Sequence, residues 1–133
     1  MKKVYDSGYR GECNLEDTDL ISLVAWFDYN YPQYKHLLVH VANESMMPAQ
    51  GRVKAKRKGV RPGFPDLMLL KKNSEYSGLM LELKRRDSKN SRPSKNQKMY
   101  HVELFEEGFM TTFCYGLEEA KKSIEIVHQI RNI

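Results

Sequence analysis

Two short apolar runs with charge set inside them limit what this chain can fold into. The first spans Leu67 to Leu70 and is opened by Asp66; the second spans Leu79 to Leu83, contains Glu82 and closes on Lys84. A polar turn through Gly78 separates them, so the stretch reads as strand, turn, strand. Side chains on a strand alternate faces, and Glu82 and Lys84 therefore project from the same one. Pairing the runs as an antiparallel hairpin around Asn73 to Ser77 sets Met68 beside Met80, Leu70 beside Gly78 and Asp66 opposite Glu82. Directly opposite residues have Cβ atoms roughly 5 Å apart. Two carboxylates that close repel, and the pKa of one rises unless a cation lies between them. A divalent ion is the natural cation, because Mg2+ and Mn2+ take oxygen ligands, often one or two carboxylates with waters and phosphate oxygens completing the shell. Lys84 then stands where it orients or helps deprotonate a water on that ion.

Both runs are apolar at nearly every position apart from Glu82, as in central strands covered on both faces. Upstream, Asn14 reads as an N-cap and Asp17 and Asp19 place acid in the first turns. Leu20, Leu23, Val24 and Phe27 give the stripe of a helix ending before Tyr31 and Pro32. Glu16 lies at helical spacing from Leu20, Leu23 and Phe27, but Asp19 sits equally well with Leu23 and Trp26, so periodicity does not choose between the two acids. His36 to Val41 reads as a strand and Ala42 to Ser45 as its exit. His40 is left outside the site, since a lone strand histidine is more often a bystander. Glu44 is placed to approach the metal face from the strand end, although a carboxylate at a loop end is usually just solvated.

Pro48 to Arg61 carries Arg52, Lys54, Lys56, Arg57, Lys58 and Arg61 with almost no acid to balance them. Such a run is either a solvated face or a grip on phosphates, and its place just before Asp66 favours the grip. Gly59, Pro62, Gly63 and Pro65 turn the backbone into Asp66. Arg85 and Arg86 continue a second basic segment, and Asn90 to Ser94 reads as a loop with Pro93 starting a helix to Glu107. On that helix Gln97, Tyr100, His101 and Leu104 share a face, and Gly108 ends it. An inward amide at Gln97 needs partners, which the site or a nearby loop backbone supplies equally well. Phe109 to Tyr115 has strand composition. Gly116 then opens a helix with Leu117, Ala120, Ile124, Val127 and Ile130 at core spacing. The order helix, three strands, helix, strand, helix predicts an α/β fold with a central mixed sheet flanked by helices.

At 133 residues the chain suits one domain over residues 1–133. Its net charge of +5 favours an anionic partner. Cys13 and Cys114 are too few and too far apart for a disulfide framework or a zinc site. Met1 to Lys3 are not followed by the apolar core of a signal peptide, and no run has membrane-spanning length, so a soluble, cytoplasmic protein is expected.

Pro65 and Asp66 followed by Glu82, Leu83 and Lys84 resemble the PD-(D/E)XK nuclease superfamily. The flanks Gly59 to Leu67, Ser94 to Gln97 and Leu104 to Gly108 are similar to its VRR-NUC branch, and the resemblance runs from about Glu16 to the C-terminal helix. It implies a restriction-endonuclease-like core and a metal-dependent endonuclease that hydrolyses DNA. By the same resemblance Asp66, Glu82, Glu16 and the Leu83 carbonyl hold Mg2+ or Mn2+, Lys84 assists the hydrolytic water, and Gln97 supports them. Asn43 matches an asparagine common after the first strand of the family, whereas Leu20 stands where the family often has glutamine. Small stand-alone relatives imply a homodimer acting on branched or four-way-junction DNA, in a bacterium or a phage-infected host. The short chain, with one site and no accessory domain, agrees, and residues 1–13 with Tyr5 and Tyr9 form an arm that packs on the partner subunit or stays loose. Two other readings stand beside this one. A non-catalytic DNA-binding module would bind DNA without cleaving it under any divalent ion, and an RNA nuclease would use the same phosphate contacts.

Overall fold

The computed structural model describes residues 16–42, 48–88 and 92–129. Helix α1 (Glu16–Asn30) is followed by a 3-10 turn (Pro32–Leu37), strand β1 (Leu38–His40), helix α2 (Ala49–Arg57), and strands β2 (Leu67–Leu69) and β3 (Leu79–Lys84). A second 3-10 turn (Arg86–Ser88), helix α3 (Lys95–Glu106), strand β4 (Met110–Tyr115) and helix α4 (Leu117–Gln129) complete the chain. The strands form one sheet in the order β1-β2-β3-β4. β1 with β2 and β2 with β3 are antiparallel, and β3 with β4 is parallel, as expected when a helix links the last two strands. The expected mixed α/β sheet is therefore present, and Met68 does pair with Met80.

Three elements differ from the sequence reading. Strand β1 keeps only Leu38 to His40, because Pro32 pre-sets the first turn of a 3-10 helix that takes up His36 and Leu37. The basic run folds as helix α2, which no strong apolar stripe announces, since only Ala55 of its nine residues is buried. Helix α3 begins at Lys95, with Ser94 as its cap, rather than at Pro93. The readings at Asn14, Asn43, Glu44, Ile130 and the arm 1–13 lie outside the described residues.

Strand parity divides the sheet into two faces. On one, Leu67, Leu69, Leu79, Leu81 and Leu83 meet Leu23 and Phe27 of α1 and Ala120, Ile124 and Val127 of α4 to form the core. The other presents Asp66, Met68, Met80, Glu82 and Lys84, with Phe113 of β4 paired beside Glu82. Helix α3 lies over this second face, so β3 is buried on both sides from Leu79 to Leu83.

The start of α3 is set by the loop that leads into β2. Gly63 has φ +83, and a Cβ there would stand 2.6 Å from Asn96 Cβ and 2.8 Å from the Gln97 backbone nitrogen. Gly59, at φ +99, faces open space. Gly59→Ala should therefore lower the unfolding free energy by about 1–2 kcal/mol, the left-handed penalty for a residue with a Cβ. Gly63→Ala should lower it further, because helix backbone stands in the way. Urea unfolding of the two variants side by side checks the ranking.

Candidate active site

Asp66 lies one residue before β2, and its position is fixed from both ends. Its Oδ2 accepts from the Leu83 N–H at 2.9 Å, across the strand pair. Its backbone carbonyl accepts from the Val41 N–H at 2.8 Å and lies 3.0 Å from His40 Nδ1. His40, which sequence alone leaves outside the site, is thus placed beside the Asp66 backbone. Only the β1–β2 register, which pairs His40 with Leu67, reveals that contact.

Glu82 is 6% exposed, in the middle of the sheet. Gln97 Nε2 donates to its Oε2 at 3.3 Å, and Lys84 Nζ stands 4.0 Å from the same oxygen. The other oxygen, Oε1, is buried without a hydrogen-bond partner. Burial, then the charge of Asp66, push the Glu82 carboxyl up to about 8, while Lys84 pulls it down. Gln97 serves the site and the loop at once: its Oε1 accepts from Lys84 Nζ at 3.2 Å and from the Ser94 N–H at 2.9 Å. The Ser94 hydroxyl accepts in turn from the Gln97 N–H at 3.1 Å, completing a capping box.

Glu16, the first residue of α1, stands at the rim of this cluster. Burial and the Asp66 charge raise its pKa, against Lys84, Arg85 and the Arg85 backbone N–H. Asp19, the alternative on the same helix, is 3% exposed and engaged within the fold, and it is absent from the charges acting on Glu82. Among the described residues Glu16 is thus the helix acid that shares the field of Asp66, Glu82 and Lys84. His101, one turn beyond Gln97, stacks flat on Phe113 at 3.9 Å and closes the face behind Glu82. Burial, then Lys84, lower its pKa to about 4.

The sequence-predicted cations divide between two places. On α2, Ala55 faces inward and the charges flank it: Lys54, Arg57 and Lys58 line one shallow groove of about 460 Å³, while Arg52 and Lys56 fall to the other side by helical spacing. Arg61 follows the helix and is exposed. Arg85 is drawn into an ion pair with Asp87 at 3.3 Å, and Arg86 packs near Gly116 at the end of the sheet.

No three His, Cys, Asp or Glu side chains among the described residues are drawn together as a ready-made metal cage. What the site offers is two facing carboxylates, an orphaned buried carboxylate oxygen and Glu16 at the rim. The Lys84 carbonyl accepts from Gly116 on the β4 side. Backbone groups of successive strand residues point to opposite edges, so the Leu83 carbonyl shares the edge facing Asp66. An ion that uses one or two carboxylates and keeps its waters fits this donor set, as Mg2+ does.

The VRR-NUC domain model matches residues 16–118, most of the chain and every residue of the cluster just described. The chain belongs to the VRR-NUC family. It is a nuclease-type domain of the PD-(D/E)XK superfamily, and membership implies DNA binding. A solved VRR-NUC domain protein is similar over 93% of this chain and 94% of its own, with a TM-score of 0.78 at 22% identity. That likeness supports the restriction-endonuclease-like architecture of this VRR-NUC domain. No curated protein matches the chain. No helix among the described residues is long and apolar enough to cross a membrane.

The raised Glu82 pKa makes the stability of the metal-free VRR-NUC domain depend on pH. Between the ordinary value of 4.5 and about 8 the folded chain keeps a proton that the unfolded chain has released. Stability from this group is therefore fully present below about 4.5 and is lost as pH rises to about 8, with Glu16 acting in the same direction. In chelator, Tm should fall across that window, and Glu82→Gln should flatten the decline. Thermal unfolding at a series of pH values measures it, and an unaltered slope in the variant would assign the titration to another group.

Proposed function

We propose that this domain is a metal-dependent endonuclease that hydrolyses DNA phosphodiester bonds and acts on branched DNA as a homodimer. One observation carries the reading: Glu82 is buried opposite Asp66 with one oxygen held by Gln97 and the other left without a partner. A sheet built only for stability has no use for an acidic group there, since burying a polar atom without a partner is costly and burying its ionised form more so.

Asp66, Glu82 and the Leu83 carbonyl would hold Mg2+ or Mn2+, with Glu16 contributing directly or through water. When bound, the ion supplies a water of lowered pKa and neutralises charge on the phosphate. The chain's own groups do the rest. Gln97 fixes Lys84 Nζ at 3.2 Å from its Oε1, so the lysine reaches the reacting centre from a set direction. From there Lys84 orients the attacking water and offsets the negative charge that develops on the phosphate oxygens. Buried His101 and half-buried Phe113 keep bulk water from the back of the site. The cations of α2 and Arg61 hold the phosphates on either side of the scissile bond.

Cleavage and binding separate under this reading. Asp66→Asn and Glu82→Gln should each lower cleavage by at least about a hundredfold while DNA affinity survives, and Lys84→Met should lower kcat with little change in Kd. Replacing Arg57 and Lys58 together should instead weaken binding, reducing the log–log salt slope by about 0.9 for each phosphate of duplex DNA that is no longer neutralised. Gel assays with Mg2+ and Mn2+ beside anisotropy titrations test all four. Binding without cleavage by the parent chain under either ion would favour a non-catalytic DNA-binding module, and preferential cleavage of RNA would favour an RNA nuclease.

Oligomeric state is tested separately. A coordinated cut of two strands needs two sites, and the described residues carry one, so a twofold dimer matches the symmetry of a four-way junction. Light scattering should give twice the chain mass at micromolar concentration, and a junction should be nicked in pairs. A monomer that cuts linear duplex as readily as a junction would rule this out.

A further inference from the structure

Beside the carboxylates lies a cavity of about 380 Å³ that the chemistry above does not use. Val60, Phe64, Met68 and Tyr100 form its apolar wall, Lys58 and Arg61 contribute to its lining, and no acidic residue among the described residues lines it. The Phe64 and Tyr100 rings meet edge to face, with centroids 5.3 Å apart. Lys58 and Arg61 are exposed residues, so their charges reach solvent at its mouth. The cavity is also bound to the site through the chain itself. Phe64 and Met68 stand two residues either side of Asp66, Met68 shares the sheet face of Asp66 and Glu82, and Tyr100 lies one turn from Gln97 on α3.

The size falls within the range of small-molecule sites. Its chemistry is that of a flat aromatic body with an anionic attachment: apolar and ring surfaces for a planar heterocycle, cations for a phosphate. We propose that this cavity takes a single unstacked nucleobase, with Lys58 and Arg61 on the phosphate of that nucleotide, so that the backbone beside it is brought to Asp66 and Glu82. This inference rests on the nucleic-acid reading above and deepens it. A base stacked and paired within a duplex cannot enter, whereas an unpaired one at a bulge, flap or branch is already partly released. Preference for irregular DNA then comes from a pocket in one chain, independently of whether two chains associate.

The test uses the full chain carrying Glu82→Gln, which removes cleavage from the measurement. Fluorescein-labelled duplexes with one unpaired thymidine, with one unpaired abasic residue at the same place, and with no bulge are titrated by anisotropy. The thymidine bulge should bind roughly tenfold or more tighter than the abasic one, in line with base–aromatic stacking. Tyr100→Ala should erase the difference. Because hollowing the pocket risks the fold, Val60→Phe, which fills it, serves as the second variant and should erase the difference while fully paired duplex binds as before. Equal affinity of the parent for the two bulges, or discrimination that persists in folded Val60→Phe, would overturn the pocket alone. Failure to bind any of the three duplexes would overturn the nucleic-acid reading together with it.

Discussion

Asp66 and Glu82 repel each other whenever both are ionised, and the surrounding contacts prevent them from moving apart. Asp66 is tied through its side chain to the Leu83 N–H and through its carbonyl to Val41. Glu82 belongs to a strand covered on both faces. Separating the two acids means unpairing β2 from β3, and with it the leucines that pack against α1 and α4. The conflict is therefore settled on the spot: burial first, and the Asp66 charge second, make Glu82 hold its proton to about pH 8. The Leu-rich face supplies the stability that lets the opposite face keep this unfavourable pair, a division of labour common where function sets local strain against global packing.

Gln97 links that pair to the rest of the fold. A glutamine at the third position of a helix ordinarily closes a capping box and nothing more. Here the oxygen that receives the Ser94 N–H also receives Lys84 Nζ, while the amide nitrogen reaches Glu82. Sequence alone leaves open whether this amide serves the site or a loop backbone, and the structure assigns it to both. The consequence is that the start of α3 and the orientation of the charged groups are one problem. Gly63 is part of the same arrangement, since only a residue without a Cβ lets the loop carrying Asp66 lie against Asn96 and Gln97.

Much of this is legible in the sequence because strand parity is unforgiving. Once Met68 is set beside Met80, Asp66, Glu82 and Lys84 have to share a face, and that register is observed. Elements whose position depends on distant contacts are less legible. Helix α2 has one buried residue, so its hydrophobic pattern carries almost no signal and the charges mask its period. Strand β1 reads too long because His36 and Leu37 look like strand residues, while the 3-10 turn that holds them follows from Pro32. Nothing local marks His40 as a neighbour of the site, and only pairing with β2 brings it to the Asp66 carbonyl. Spacing cannot separate Glu16 from Asp19, because what distinguishes them is the field of strands far away in the chain.

The free chain holds a second electrostatic conflict, opposite in sign. Lys54, Arg57 and Lys58 gather on one side of a nine-residue helix. Like charges at such spacings destabilise a helix by about 0.2–0.5 kcal/mol per pair. Their position in the last turn and just beyond offsets part of this, since cations are favoured at the C-terminal end of the helix dipole. On the proposed function the remainder would be relieved by an external polyanion, as the carboxylate conflict would be by an external cation. On the proposed reading both arrive together: phosphates lie along α2 while a divalent ion lies between Asp66 and Glu82. A metal bound beside a phosphate is also held by that phosphate, so each component of the complex reduces the unfavourable charge that opposes the other. Metal and nucleic acid should thus bind with positive coupling even though they touch different residues, and the coupling originates in the two clusters that the fold alone leaves unbalanced.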